Sequence, residues 1–349
     1  MRAVLFDSPG GPEVLYVGTA GRPVAGPGEV VIQVMAAGVN RPDISQRLGR
    51  YPVPPDASLI LGLEVAGVVA DVGDEVRAFR PGDRVVALVH GGGYAEFCRA
   101  DCRHVMPLPE GLSFAEGAAF PEVAMTVEFN MVMRAGLKRG ETILVHGGSS
   151  GIGSHAVARA VSLGAVAITT SRGKSKADYC RRMGAALAID SSAGDWVDEV
   201  MDFTGGRGVD VVLDMVGGDY TDRNLACMAE DGRYALISLQ GGAKAAVNLE
   251  PLLRRRLMLA GSTLRPLSPD AKASIAERLM HDVLPVLAKG KLRPHIHATF
   301  DMADVCEAHR TLERNDHFGK LVMTVGETSA KDQLLPAGAM SRARARPAT

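Results

Sequence analysis

One stretch of the chain has the residue types and spacing to hold a phosphate. It reads Ile143-Leu144-Val145-His146-Gly147-Gly148-Ser149-Ser150-Gly151-Ile152-Gly153-Ser154-His155-Ala156. A short apolar run, too short for a helix, breaks into a glycine-rich turn, and the turn opens a helical pattern at Ala156, Val157, Ala160 and Val161. The glycines fall as Gly151-x-Gly153-x-x-Ala156. Glycine is needed where the backbone approaches a pyrophosphate closely, and a small third residue lets helix pack on strand. The helix N-terminus then offers its free N–H groups to the anion. Gly148, Ser150, Gly151, Ile152 and Gly153 are therefore the expected phosphate contacts.

The next segment sharpens this reading. After a second apolar strand at 166–170 comes Ser171-Arg172-Gly173-Lys174-Ser175-Lys176, and no Asp or Glu occurs between Glu141 and Asp178. A dinucleotide site that prefers NAD usually places an acid here, on the ribose hydroxyl. Three cations and two hydroxyls instead suit a 2′-phosphate, which a carboxylate would repel. The segment favours NADPH, with Ser171, Arg172 and Lys176 as expected contacts; whether Arg172, Lys174 or Lys176 carries the phosphate stays open in the sequence. His146 has no Ser or Cys nucleophile at a recognisable spacing, so a hydrolase is not indicated.

The elements that must position these groups fall into two patterns. Residues 1–122 read as short strands, such as 30–34, 65–69 and 84–88, with turn signals at Gly10-Gly11-Pro12, Gly26-Pro27-Gly28 and Pro81-Gly82-Asp83. That spacing predicts a barrel-like β domain. From 123 to 263 strands at 142–145, 166–170, 187–189, 209–215 and 232–239 alternate with helical stretches, which predicts a parallel sheet covered on both faces. Gly217, Leu239 and Gly241 follow two of these strands, at carboxyl ends where such a sheet places its ligand. Residues 264–326 return to helix plus strand. The tail 327–349, with Arg342, Arg344 and Arg346 among small residues, lacks apolar periodicity and is expected to be poorly ordered.

Composition narrows the class. With 349 residues there is room for two domains, and a hydrophobic share of 46% is ordinary for a soluble globular protein. A net charge of −1 gives no reason to expect nucleic acid or a membrane surface as partner. The five cysteines are odd in number and scattered, which argues for thiols in a reducing cytoplasm. Cys98 and Cys102 have no matching second pair and read as ordinary thiols rather than a metal site. No signal peptide and no apolar run of roughly 18 residues is present.

Further marks complete a family pattern. They are Gly38-Val39-Asn40-Arg41-Pro42-Asp43, Leu61-Gly62-Leu63-Glu64-Val65-Ala66-Gly67, Gly91-Gly92-Gly93-Tyr94-Ala95-Glu96 and Ala119-Phe120-Pro121-Glu122-Val123-Ala124-Met125-Thr126. The glycine turn, Gly261-Ser262-Thr263-Leu264-Arg265 and His317-Phe318-Gly319-Lys320 join them. Together they resemble the zinc-free quinone oxidoreductases of the medium-chain dehydrogenase/reductase superfamily, over residues 1 to about 325. The resemblance implies an α/β fold: a GroES-like β domain built from both chain ends plus a Rossmann domain, a doubly wound parallel sheet, with NADPH in the cleft between them. It also implies a homodimer paired through 244–264.

Zinc-dependent relatives carry Cys where Asn40 stands and His where Leu63 stands, so the resemblance implies no metal. What remains is hydride delivery to an electrophilic acceptor, a quinone or an α,β-unsaturated carbonyl. An enoyl-thioester or alkenal reductase would share fold and cofactor, and an NADPH-binding structural or RNA-associated protein is the reading outside enzymology. By resemblance Asn40 lies at the cleft, where its amide would orient the nicotinamide or donate to an acceptor oxygen. Tyr51 is a substrate-loop aromatic, Thr126 lies near the nicotinamide amide, and Arg265 and Lys320 reach cofactor or substrate. Asp43 is expected to cap a helix starting near Ile44, and Glu64 to pair with a buried cation or donor.

Overall fold

The computed structural model describes residues 1–325. The tail from Glu327 lies outside the described residues. Two sheets organise the chain. In the first, six parallel strands run in the order Leu187–Asp190, Val166–Ser171, Thr142–His146, Val209–Asp214, Met228–Leu236 and Met258–Gly261. The earliest strand of this sheet, Thr142–His146, therefore sits in the middle, and the chain winds outward from it in both directions. That is the Rossmann order, and its switch point lies beside the glycine turn.

These strands read as near-continuous apolar runs because both faces are covered. Ile143 and Val145 pack into one layer with Ala156, Val157 and Ala160 of the helix Gly151–Leu163. Leu144 points the other way, into a layer with Trp196, Val200 and Leu225. The strand expected at 232–239 runs from Met228 to Leu236 instead. Beyond it the backbone leaves the ladder and bonds to the loop after Asp214, with Gln240 N–H on Met215 O and Gly241 N–H on Val216 O. Leu239 and Gly241 are thereby held above the carboxyl ends of the strands.

The second sheet has seven strands. Glu29–Val39 is its spine, pairing with Glu64–Val72, with Phe97–Asp101 and with Lys320–Thr324, all antiparallel. The last pairing puts Leu321 opposite Val39, so both chain ends build one body. The core beneath confirms this in its composition, with Val30, Ile32, Val65 and Val85 packed among Val305, Leu312 and Leu321. The architecture is α/β, a GroES-like β body and a Rossmann body. No helix among the described residues is long and apolar enough to cross a membrane.

Candidate active site

A cleft of about 1430 Å³ runs between the two bodies and opens over the switch point. Its floor is the glycine turn. Strand Thr142–His146 ends in Gly147, whose φ of +65° reverses the chain without Cβ strain. Ser150 then caps the helix, its Oγ accepting the N–H of Gly153 at 3.0 Å. Ser150, Gly151 and Ile152 line the cleft as expected, together with Gly147 and Ser149.

Three of the expected glycines, Gly148, Gly153 and Gly217, do not line it. A Cβ on Gly153 would lie 2.2 Å from Gly147 O, and one on Gly148 would lie 2.6 Å from Thr169 Cβ. Both are glycine because turn, helix and second strand crowd there, behind the cleft wall. Gly217, at φ +65°, bridges to Gly242 and fixes the loop that presents Leu239 and Gly241, which do reach the cleft.

At one end the cleft is basic. Arg172 and Lys176 line it, as does Ser171, whereas Lys174 does not. Arg41 joins them from the other body, a contribution the sequence reading missed. Burial chiefly lowers the pKa of Arg41 and of Lys176, and the charge of Arg172 lowers both further. His317 also lines this end. Burial, then Lys176 and Arg41, push it down to about 4, and its Nδ1 is buried without a partner. Lys176 Nζ donates to the carbonyl of Asn315. Among the described residues Arg41, Arg172 and Lys176 form no ion pair. Mutually repelling cations around an unpartnered imidazole nitrogen suit a dianionic phosphate.

The middle of the cleft is a buried polar triangle. Lys320 Nζ donates to Glu64 Oε1 and to Asn40 Oδ1, both at 2.6 Å, and Asn40 Nδ2 donates to Glu64 Oε1 at 2.9 Å. The Glu122 backbone N–H completes the set on Glu64 Oε2 at 2.9 Å. Asn40 and Lys320 line the cleft, but their polar atoms are committed to each other and to Glu64. The Asn40 amide, expected to orient the nicotinamide or donate to an acceptor oxygen, is bonded here within the triangle. Asp43 is corrected too. The helix starts earlier, at Arg41, with Asn40 as its cap, and Asp43 sits in the first turn. There its carboxylate accepts the N–H groups of Asn40 and Gly62 and the Tyr94 hydroxyl. Burial nonetheless pushes it up to about 6.

At the other end Tyr51, half-buried, lies under the Arg265 guanidinium, 5.5 Å from ring centre to Cζ. Glu122, on the helix Pro121–Val127, acts on Tyr51, and Thr126 of the same helix also lines the cleft. Burial, then the neighbouring Glu64 charge, push Glu122 up to about 7. A Pro-Glu at a helix start reads in sequence as a favourable first-turn acid, so nothing there marked it as a cleft residue. His146 is wholly buried between Thr170 Oγ1 at 2.7 Å and Asn224 Oδ1 at 2.6 Å, a structural placement. Cys98 is buried and its thiol is raised to about 12, as for an inert core cysteine.

Known proteins match both bodies. Residues 26–133 match the alcohol dehydrogenase GroES-like domain, and residues 151–279 match the zinc-binding dehydrogenase domain. A quinone oxidoreductase of Pseudomonas aeruginosa is 32% identical, across 92% of this chain and 99% of that protein. A mycocerosic acid synthase-like polyketide synthase of Mycobacterium tuberculosis is 30% identical across 94% of this chain. The chain spans only 16% of that synthase's length. Among solved structures, Escherichia coli quinone oxidoreductase complexed with NADPH superposes with a TM-score of 0.83 at 29% identity, covering 93% of this chain and all of that one. The CurK enoyl reductase superposes at 0.82 with 26% identity, covering 93% of this chain and 99% of that one.

Proposed function

The chain belongs to the quinone oxidoreductase family of the medium-chain dehydrogenase/reductase superfamily, and from this we propose an NADPH-dependent, zinc-independent reductase of quinones or α,β-unsaturated carbonyls. The observation that carries the reading is the basic end of the cleft. Arg41 and Lys176 lie beside the unpartnered His317 nitrogen, and Arg172 lies beside both of them, at the end of the strand next to the glycine turn. NADPH fits that arrangement: Ser149 to Ile152 would hold the pyrophosphate, the basic cluster the 2′-phosphate, and Leu239 and Gly241 would flank the nicotinamide end. When bound, the cofactor supplies a hydride.

The residues of the chain supply the rest. Tyr51 offers a flat ring and a hydroxyl to a planar acceptor. Thr126 offers a hydroxyl near the same place. Glu122, raised to about 7, keeps a proton on its carboxyl below neutral pH, in a cleft where reduction consumes one. The Asn40–Glu64–Lys320 triangle fixes the floor on which these groups stand. What supports zinc independence is that Asn40 and Leu63 stand, by the family resemblance, where zinc-dependent relatives carry thiolate and imidazole.

The experiment is steady-state NADPH oxidation against a panel of quinones, enones and enoyl thioesters, before and after prolonged chelation. Quinone or enone turnover that survives the chelator is expected; turnover lost with the chelator and restored by zinc sinks the metal-free reading. Efficient turnover confined to enoyl thioesters would favour the second reading, which the likeness to the CurK enoyl reductase and to the polyketide synthase supports.

A homodimer is the proposed assembly. Strand Met258–Gly261 is one edge of the six-stranded sheet, and its Met258 and Leu253 of the preceding helix are 59% and 82% exposed. An unpaired apolar edge invites pairing with its own copy across a two-fold axis. Light scattering at micromolar concentration should give twice the chain mass, and a monomer there overturns the assignment.

A further inference from the structure

The acceptor end of the cleft holds two buried cations with no carboxylate bonded to either. Arg265 is 6% exposed, and its Nη1 donates to the neutral Gln46 Oε1 at 2.7 Å. Its Nε and Nη2 are buried with no partner. Lys272, also 6% exposed, donates to the Arg265 carbonyl at 2.7 Å. Neither side chain forms an ion pair among the described residues, and both line the cleft. Burial is the main influence lowering the pKa of each.

Nearby acids do not bond this pair. Asp43, which acts on Arg265, is spent on the hydrogen bonds of Asn40, Gly62 and Tyr94, and Asp56 and Asp101, which act on Lys272, form no ion pair with it among the described residues. Buried donors are almost always bonded, and a buried charge needs a partner, so an Arg that lines the cleft with two unpartnered donors points to a group that arrives from outside. The shape of the gap says which group. Nε and Nη2 lie on one edge of the planar guanidinium, two parallel N–H donors in a fixed fork. A carboxylate meets that fork with both oxygens, whereas a ketone or quinone oxygen meets it with one.

We propose that Arg265 is a carboxylate-binding residue of the acceptor site, so that the acceptor this protein prefers carries a carboxylate beside its reducible ring or enone. The Nε–Nη2 edge grips the carboxylate, Lys272 adds the second positive charge, and Tyr51 lies under the guanidinium as the platform for the attached ring. Gln46 holds Nη1 and leaves the buried Nε–Nη2 edge without a partner. This inference rests on the reductase reading but is tested apart from it.

The test compares a propanoate-substituted naphthoquinone with its own methyl ester, which differ in charge and hardly in size. In the native protein kcat/KM should favour the acid. Arg265→Gln should shrink the acid-to-ester ratio by roughly tenfold or more, while Arg265→Lys, which keeps charge but not the fork, should retain part of it. A native preference for the ester, or an equal fall for acid and ester in Arg265→Gln, overturns the proposal. If neither quinone is turned over, the reductase reading fails and the subsite is judged by binding alone. Calorimetry in the presence of NADP+ then compares 2-naphthoate with 2-naphthamide. Selective binding of the carboxylate that Arg265→Gln abolishes supports the subsite, and equal binding of the two refutes it.

Discussion

Lys320→Met should cost about 3–5 kcal/mol of stability, because it leaves a charged Glu64 buried without its cation. The Glu64 side chain is 0% exposed and that of Lys320 5%, so water cannot replace the lost partner. The damage spreads beyond one pair. Lys320 Nζ also donates to Asn40 Oδ1, and Asn40 caps the helix Arg41–Arg47. The methylene stem of Lys320 packs on Gly151, where an added Cβ would lie 2.5 Å from Lys320 Cδ. Beside it the Gly319 N–H donates to Ser149 O at 2.8 Å, which ties the returning strand to the glycine turn. NADPH affinity should therefore fall along with stability. Adding Glu64→Gln to Lys320→Met removes the stranded charge and keeps one acceptor oxygen for the Glu122 N–H, while the Gln amide can donate to the Asn40 Oδ1 that Lys320 has released, and should restore about half of the loss. Urea unfolding followed by circular dichroism checks both variants. A loss below about 1 kcal/mol in the single variant, or no recovery in the double, would mean the triangle is not a paired buried charge.

The sequence made the Rossmann body legible because its information is local. Each buried strand is a short apolar run closed by a turn, and the turn after Val145 announces its own chemistry. That alternation implied a parallel sheet covered on both faces, whereas the order of its six strands came with the structure. Helix starts were harder. Asn40-Arg41-Pro42-Asp43 carries a capping-box spacing with a proline just inside, and that signal sets the start at Arg41 rather than near Ile44. The glycines show a different limit. Gly148, Gly153 and Gly217 are glycine because backbone and side chains crowd them, and Gly151 is cleft-lining, yet one letter serves both. What the sequence hid altogether is convergence. Arg41 meets Arg172 and His317, and Gln46 meets Arg265, across separations that no periodicity spans. A buried guanidinium with two open donors is visible only once its surroundings are assembled.

Arg172→Glu should weaken NADPH binding by about 1.5–3 kcal/mol and leave NADH much less affected, as for loss of a charge-assisted phosphate contact. The choice of Arg172 comes from the geometry. Lys176 already spends a donor on the Asn315 carbonyl, so Lys176→Glu perturbs a loop as well as a charge. Lys174 faces away from the cleft wall and serves as the control, with charge reversal there expected to change affinity only by screened, long-range repulsion. Arg41 gives the decisive comparison, because it comes from the GroES-like body while Arg172 comes from the Rossmann body. If both grip one phosphate, Arg41→Ala and Arg172→Ala should each lose NADPH selectivity, and the double variant should lose less than the two losses added, since a single dianion couples them. Fluorescence titration of both cofactors against these five variants and the native chain measures this. Tighter binding of NADH than NADPH by the native chain would overturn the assignment of the basic end. Strict additivity of Arg41 and Arg172 would instead mean that they act on the cofactor independently, with only one of them at the 2′-phosphate.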